Sequence, residues 1–348
     1  IAFSISLAMT VVPVTPAAAA GAEQNTEGLQ NAVLDLEFEN SLEDSSGKGN
    51  NGTLSSGEAE YVDGVVGKGL KMNGSSYVNL GNSTDLQPEN LTLSFWIRPD
   101  SDMKGEELIS WNKNEWYTDG WYLSSENDNT PLTLSVGPAK TNGQPYRVSV
   151  SGKRSEFLPT GEWTHIAVTY DKDSKEICFY RNGVKCSTVT TYGISGESTG
   201  VLGSDATMEK SIGYNGPKYK GAYLKASLDE YQLYNDVATP EEVIALYEES
   251  GQTFDRKAVA QADLDKISIP ETTQENLSLP TTGESGSVIS WSSDNEAMVA
   301  ADGTVVRPGV GEKDVTVTLT AEASYLNGEK VTKTYKVTVT AKQEINIT

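Results

Sequence analysis

One stretch of this chain, residues 162–189, constrains the fold more than any other. Residues 163–170 are rich in β-branched and aromatic side chains, which favours a β-strand. Asn182 and Gly183 divide the next apolar run, and because both residues tolerate positive φ, they predict the two-residue turn of a hairpin. In that register one face of the hairpin turns towards a core, and it carries Ile177, Phe179, Val184 and Cys186.

The two cysteines of the chain flank the predicted turn. With a two-residue turn, Cys178 and Cys186 lie on opposite faces and cannot form a disulfide, whereas a three-residue loop would place them diagonally on one face, where a bridge is conceivable. Two cysteines in 348 residues do not make a disulfide framework. We therefore expect two free and mostly buried thiols.

The same hairpin carries a family resemblance. Residues 163–170, Trp-Thr-His-Ile-Ala-Val-Thr-Tyr, followed by Phe-Tyr-Arg-Asn-Gly at 179–183, resemble the middle of a laminin-G-like, concanavalin-type jelly roll. Segments 38–54 and 228–243 resemble the opening and the close of that family. The resemblance implies an antiparallel jelly-roll sandwich over residues 31–250. Because the family is diverse in function, it implies an architecture better than a ligand.

The N-terminal segment is set apart by its composition. Residues 1–22 form an apolar run with an Ala-rich end, as in the remnant of a secretory signal peptide, and residues 23–30 are expected to be a flexible lead. A membrane anchor is the alternative, which Pro13, Pro16 and the small residues disfavour. We therefore expect residues 1–28 to be disordered or cleaved, and the protein to be secreted or displayed at the cell surface without membrane insertion.

One clear helix is predicted near the end of the jelly roll, at residues 239–249. Thr239 is placed to cap it, Pro240 suits the first helical position, and Glu242 completes a capping box. The polar residues that follow, 251–262, predict a linker.

A second domain is predicted over residues 263–342, where Thr, Val, Ser and Glu dominate several strand-like runs. This region resembles a bacterial immunoglobulin-like domain of the kind that acts as a spacer in secreted glycoside hydrolases, with Trp291 as its expected core residue. Residues 343–348 are expected to begin a linker to a further C-terminal part. The predicted fold class is therefore all-β, an antiparallel jelly-roll sandwich plus a smaller immunoglobulin-like β-sandwich.

The charge of the chain limits its partners. A net charge of −22 disfavours binding to nucleic acid or to an anionic membrane, because both need clusters of Lys and Arg. The single histidine, His165, falls in the predicted hairpin, so a zinc site with several His ligands and a Ser-His-Asp triad elsewhere are excluded. We expect His165 to be a packed strand residue and the protein to be a monomer.

Calcium is the cofactor that the resemblance implies. In laminin-G-like domains the loop after the first strand meets an acidic pair near the last strand, which implies a structural calcium ion completed by backbone carbonyls of the loop. The candidate ligands are Glu39, Asp44, Asn51 and Asp229. In the alternative interpretation, Asp44 and Asn51 only stabilise turns.

A glycan site is the functional hypothesis, because sugar sites pair an aromatic platform with amide and carboxylate partners. The segment 111–122 supplies such a set on a predicted loop, and a tyrosine group further along is a second candidate. The candidate ligand-binding residues are Trp116, Tyr117, Asn112, Asn114 and Asp119, with Tyr219 from the second group of Tyr214, Tyr219 and Tyr223. Trp111 and Trp121 are expected to be core residues at strand ends.

No catalytic apparatus is predicted for these residues. Jelly-roll glycosidases carry two carboxylates in a defined order on one strand, whereas Asp35, Glu37 and Glu39 have the wrong order and lie on the first strand. No phosphate-binding loop, nucleophile elbow or metalloprotease helix is present. We predict a non-catalytic polysaccharide-binding region of a secreted bacterial glycoside hydrolase of arabinofuranosidase or xylosidase type. The alternatives are an adhesin module for a host protein or glycoprotein and a structural spacer.

Overall fold

The computed structural model describes residues 29, 32–100, 107–113, 120–137, 146–186, 189–192, 209–214 and 223–344. Within these ranges the chain is mostly β. The strands are β1 (Ala32–Leu36), β2 (Thr53–Leu54), β3 (Glu60–Asp63), β4 (Lys68–Asn73), β5 (Val78–Asn79), β6 (Leu91–Pro99), β7 (Glu107–Lys113), β8 (Gly120–Ser125), β9 (Thr133–Val136), β10 (Tyr146–Val150), β11 (Thr164–Tyr170), β12 (Ile177–Arg181), β13 (Val184–Lys185), β14 (Val189–Tyr192), β15 (Ser211–Ile212), β16 (Lys225–Tyr234), β17 (Thr272–Thr273), β18 (Val288–Ser293), β19 (Val315–Ser324) and β20 (Val331–Val339). The helices are a 3-10 turn (Thr84–Leu86), α1 (Arg154–Phe157), α2 (Pro240–Glu249) and α3 (Arg256–Asp265).

Two antiparallel sheets stack to form the larger domain. The first sheet runs in the order β13-β12-β11-β6-β16-β4-β3, with β1 also paired to β16, and the second runs in the order β14-β10-β9-β8-β7-β15-β5-β2. One face of each sheet supplies the apolar residues between them, including Phe95 and Val168 from the first sheet and Leu123 and Leu134 from the second. The predicted all-β sandwich is confirmed.

The predicted hairpin forms with the predicted turn. Asn182 and Gly183 both have positive φ, and Arg181 opposes Val184 across the turn. Gly183 has a second reason to lack a side chain, because an added Cβ would lie 2.8 Å from the ring of Phe254. The register therefore follows directly from these two residues.

The two faces of the hairpin pack differently from the prediction in one respect. Ile177, Phe179 and the partly buried Cys186 contact the sandwich core as predicted, but Val184 packs against a separate cluster. Val184 lies at the turn end of the hairpin, past the edge of the sandwich core, and it belongs to the same apolar cluster as Ile244 and Phe254. Both thiols are free, as predicted.

Helix α2 covers the outside of the first sheet. It begins at the Thr239 cap, and the capping box with Glu242 is present, which confirms the predicted helix and its first turn. Its Tyr247 ring stacks on Trp96 with 5.5 Å between centroids, and the ring of His165 lies beside this pair, with its centroid 5.2 Å from that of Trp96 and 5.7 Å from that of Tyr247. The central strands β6 and β11 are thus buried on both faces, and His165 is packed as predicted.

The smaller domain holds a four-stranded sheet in the order β17-β20-β19-β18. Helix α3 lies across part of the segment that was predicted to be a linker, capped by the Asp255 side chain. The prediction missed this helix because its buried side contains a charged residue as well as Ala260 and Leu264. That residue, Asp263, accepts hydrogen bonds from the amides of Ser285 and Ser287 and so is tolerated inside.

The two domains share one apolar cluster. Ile244 from α2 of the larger domain and Phe254 from the connecting segment lie in one cluster with Leu264, Tyr325 and other apolar residues of the smaller domain. Trp291 is partly buried in the smaller domain, where its indole nitrogen donates to the carbonyl of Pro280, in keeping with its predicted packing role.

The predicted signal segment, residues 1–28, lies outside the described part of the chain. Among the helices in the described part, none combines the length and the apolar character that crossing a bilayer requires.

Candidate functional site on the second sheet

The predicted calcium ligands fall into two pairs, Asp44 with Asn51 and Glu39 with Asp229, and each pair is engaged in hydrogen bonds to backbone amides. In the first pair, the amide of Asp44 donates to Oδ1 of Asn51 at 2.8 Å. The carboxylate of Asp44 in turn accepts from the amides of Asp35, Ser46 and Asn50 at 2.8–3.0 Å. Burial alone would raise the pKa of Asp44, but these hydrogen bonds outweigh burial and hold the pKa below its usual range.

The second pair holds another loop. Oδ2 of Asp229 accepts from the amides of Val65 and Val66 at 2.7 and 3.1 Å, and Oε1 of Glu39 accepts from the amide of Lys68 at 2.7 Å. Burial raises the pKa of Asp229 to about 6, although its hydrogen bonds act in the opposite direction. Both carboxylates therefore already fix the backbone of residues 65–68.

This arrangement bears on the fit of a calcium ion. Among the described residues, no group of three or more His, Cys, Asp or Glu is placed to hold a metal ion. Calcium needs six to eight oxygens, so a calcium site built on either pair would take most of its ligands from backbone carbonyls and water. The carboxylates in each pair can supply only part of the shell, and calcium binding remains a prediction.

The predicted glycan loop is mostly outside the described residues. Asn114, Trp116, Tyr117, Asp119 and Tyr219 all fall in ranges that are not described.

Asn112 of the same set is described, and it lies within β7 rather than in a loop. It is 2% exposed, pairs with Trp121, and donates its amide hydrogen to Ser110 Oγ at 3.3 Å. Trp121 is part of the sandwich core, as predicted, so Asn112 shares the inward side of the sheet with it. Trp111 is buried as well, but it lies on the opposite face of the sheet from Trp121 and outside the sandwich core cluster in which it was expected, because neighbouring residues of a strand point to opposite faces.

The outer face of the second sheet is the face turned away from the core. It carries a row of polar and aromatic residues that come from seven different strands and that the sequence did not predict to be neighbours. Residues that oppose one another in antiparallel strands share a face. Following these pairs from β2 to β10 gives one continuous line, here called the polar row, of Thr53, Asn79, Ser211, Trp111, Tyr122, Ser135 and Arg147. Seven strands at about 4.8 Å spacing make this row roughly 30 Å long.

The middle of the polar row is buried and closely packed. Trp111 and Tyr122 stack with 5.4 Å between ring centroids, and Arg147 lies 3.6 Å from the carboxylate of Glu126. Burial raises the pKa of Tyr122, so its hydroxyl is protonated at neutral pH. Thr53, at the edge strand, is exposed and Asn79 is partly exposed, so the row is open to solvent at this end.

A stack of three tyrosines lies beside the open end. The ring centroids of Tyr214 and Tyr223 are 4.4 Å apart and nearly parallel, and Tyr77 stacks on Tyr214 at 5.0 Å. Tyr77 shares the outer face with Asn79, because the residues between and beyond them, Val78 and Leu80, point into the core. Tyr214 is buried, whereas Tyr77 and Tyr223 are partly exposed, so this tyrosine stack presents aromatic surface to solvent.

A different cluster, on the first sheet, contains the strongly perturbed carboxylates. Glu230, Glu249, Gln232 and His165 line a cavity of about 10 Å³ beneath α2. Burial, followed by repulsion from Asp229 and three other carboxylates, raises the pKa of Glu230 to about 8. Burial also lowers the pKa of His165 to about 3, so its ring is neutral. A cavity of this size holds about one water molecule and is too small for a sugar.

Comparison with known families matches both domains. Residues 72–244 match the laminin-G model of the concanavalin A-like lectin/glucanases superfamily, and residues 257–342 match the atrophied bacterial Ig domain. A stretch of 110 residues is 38% identical to an α-L-arabinofuranosidase of Bifidobacterium longum subsp. longum. This match covers 25% of the chain but only 10% of that enzyme, so the chain spans about a tenth of the curated relative.

Several solved structures are similar in fold. Domain 4 of AbnA, a GH43 extracellular arabinanase from Geobacillus stearothermophilus solved in complex with arabinotriose, is 23% identical, with 64% of this chain and 100% of that chain covered and a TM-score of 0.45. The binding domain of Paraclostridial Mosquitocidal Protein 1 is also 23% identical, with 63% and 52% covered and a TM-score of 0.48.

Proposed function

Because this chain carries a laminin-G-type domain of the concanavalin A-like superfamily followed by an atrophied bacterial immunoglobulin domain, we propose that it is a non-catalytic glycan-binding region of a secreted glycoside hydrolase. The first domain binds the polysaccharide, and the second domain acts as a spacer that separates the first domain from the catalytic part of the enzyme. A binding region of this kind raises the effective concentration of the enzyme at an insoluble polymer.

The observation that carries the proposal is the tyrosine stack beside the open end of the polar row. Sugar rings present C–H faces to aromatic rings and hydroxyls to amides and alcohols. Tyr77 and Tyr223 supply the aromatic surface, and Asn79 and Thr53 supply the polar groups on the same face. The buried and stacked Trp111–Tyr122 pair forms the adjoining floor, and a floor that is already packed before binding reduces the entropic cost of binding.

The nature of the glycan is proposed from the curated relative. The matched relative is an α-L-arabinofuranosidase, which favours a polysaccharide that contains arabinose. The net charge of −22 also favours a neutral polymer over an acidic one, because an anionic chain would be repelled.

The test is binding of the whole chain to linear arabinan, arabinoxylan and a panel of host glycoproteins. We expect binding to the plant polysaccharides, and the variant Tyr223→Ala should weaken it about tenfold through loss of stacking. The matched control is Tyr223→Phe, which keeps the ring and should retain most of the affinity. Binding only to host glycoproteins would favour an adhesin, and absence of all binding would favour a spacer; either outcome refutes the proposal.

A further inference from the structure

We propose that a second, amide-lined subsite binds one neutral sugar unit next to the tyrosine stack. This inference rests on the proposed function and assigns a part of the glycan to a surface that the stack does not cover. The subsite, here called the amide pocket, is a shallow cavity of about 430 Å³. Its lining includes Gly49, Asn50, Asn51, Thr53, Asn79 and Gly81, with the exposed Asn82 at its edge.

The position of the pocket connects it to the stack. Thr53 and Asn79 belong both to the pocket lining and to the exposed end of the polar row. Tyr77 lies two residues before Asn79 on the same strand face, which places the two Cα atoms about 7 Å apart. A glycan that stacks on Tyr77 would therefore meet the pocket with an adjacent sugar unit.

The hydrogen bonds inside the pocket determine what it offers to a ligand. Oδ1 of Asn51 accepts from the amide of Asp44, and Oδ1 of Asn79 accepts from the amide of Gly81 at 2.7 Å. Because each side-chain oxygen is fixed by a backbone amide, each Nδ2 group is oriented as a donor. Asn50 is arranged in the opposite way, since its Nδ2 donates to the carbonyl of Val33 and its Oδ1 is left as an acceptor.

A mixture of fixed donors and acceptors matches a hydroxyl-rich ligand, because each sugar hydroxyl both donates and accepts. The absence of charge makes the match more specific. No residue that lines this pocket is charged, in a chain with a net charge of −22. A cation would meet the Nδ2 donors of Asn51 and Asn79, and an anion would meet the acidic surroundings, so a neutral sugar is the favoured occupant.

Two glycines leave room for this occupant. A Cβ added at Gly49 or at Gly81 would meet no atom within 4 Å, so the backbone at both positions is open to the pocket. A sugar unit can therefore approach the main chain closely, as it could not if side chains were present.

The test uses two variants at the exposed Asn82, for which the structure shows no hydrogen bond that the fold requires. Asn82→Ala removes one amide, and Asn82→Trp fills part of the pocket. With linear arabino-oligosaccharides in titration calorimetry, we expect Asn82→Ala to weaken binding about threefold to tenfold and Asn82→Trp to weaken it further. The control, Asn235→Ala at another exposed asparagine, should bind like the unmodified chain.

The outcomes separate the subsite from the proposed function. If the unmodified chain binds and Tyr223→Ala loses affinity while both Asn82 variants bind normally, the amide pocket is refuted and the tyrosine stack stands. If the unmodified chain binds no glycan, the proposed function itself fails. Equal affinity for oligogalacturonides and neutral oligosaccharides would refute the selection for a neutral unit.

Discussion

Replacing Glu230 by Gln should stabilise the protein at alkaline pH and have little effect in acid. Burial, together with the nearby carboxylates of Asp229, Asp35, Glu37 and Glu39, raises the pKa of Glu230 from 4.5 to about 8. The folded state therefore holds this proton more tightly than the unfolded state does. The contribution of Glu230 to the free energy of unfolding is therefore fully present below about pH 4.5, and it is lost as the pH rises towards 8.

The size of the effect follows from the degree of burial. For a fully buried group, a pKa of about 8 in the folded state instead of 4.5 in the unfolded state would lower the free energy of unfolding by roughly 5 kcal/mol at pH 9. Glu230 is only partly buried, so solvent screening reduces the expected loss to about 1–2 kcal/mol. In a domain of this size, that loss corresponds to a change in Tm of roughly 3–6 °C.

Calorimetric melts of the two proteins between pH 4.5 and pH 9 measure this difference. The Gln side chain has the same shape, and because both residues adopt the positive φ of 46° with similar cost, the backbone strain is unchanged. We expect equal Tm values at pH 4.5 and a higher Tm for Glu230→Gln at pH 9. Glu58→Gln, at an exposed position, is the control. A difference in Tm that is the same at both pH values would refute the electrostatic explanation.

Two further predictions concern the domain contact and calcium. Phe254→Ala removes the ring that packs on Gly183 and Tyr325. We expect this change to lower the free energy of unfolding by about 3 kcal/mol and to separate one calorimetric transition into two. One sharp transition at an unchanged Tm would contradict this prediction. We also propose a structural calcium ion near the loop of Asp44 or Asp229, so that excess chelator should lower the Tm and added calcium restore it. Identical melts in chelator and in calcium would exclude that ion, and the same melts of Asp44→Asn would show whether the first pair of ligands is involved.

Local sequence signals predicted much of the architecture. The Asn182-Gly183 turn and the Thr239 cap are each specified by neighbouring residues, and the structure has both. The family resemblance extended these local signals to the order of the domains. The helix α3 was missed because Asp263 interrupts its apolar side, and only contacts with Ser285 and Ser287 make that residue acceptable inside.

The candidate site could not be predicted in the same way. The sequence placed a first platform between residues 111 and 122, where aromatic residues are dense, and a second at Tyr214, Tyr219 and Tyr223, of which the structure stacks Tyr214 on Tyr223. The structure joins Thr53, Asn79, Ser211 and Trp111 in one row, although they are far apart along the chain. Strand order and register decide which residues share a row, and no local pattern records either of them.

The sequence by itself determined that this chain forms antiparallel sheets, where its hairpin turns, and where its long helix begins, since these depend on residues a few positions apart. The tertiary structure alone decided which side chains meet. It added Tyr77 to the stack of Tyr214 and Tyr223, and it raised the pKa of Glu230 far above that of an exposed glutamate. Stacking and burial depend on distances across strands, and those distances exist only after the sheets have closed on each other.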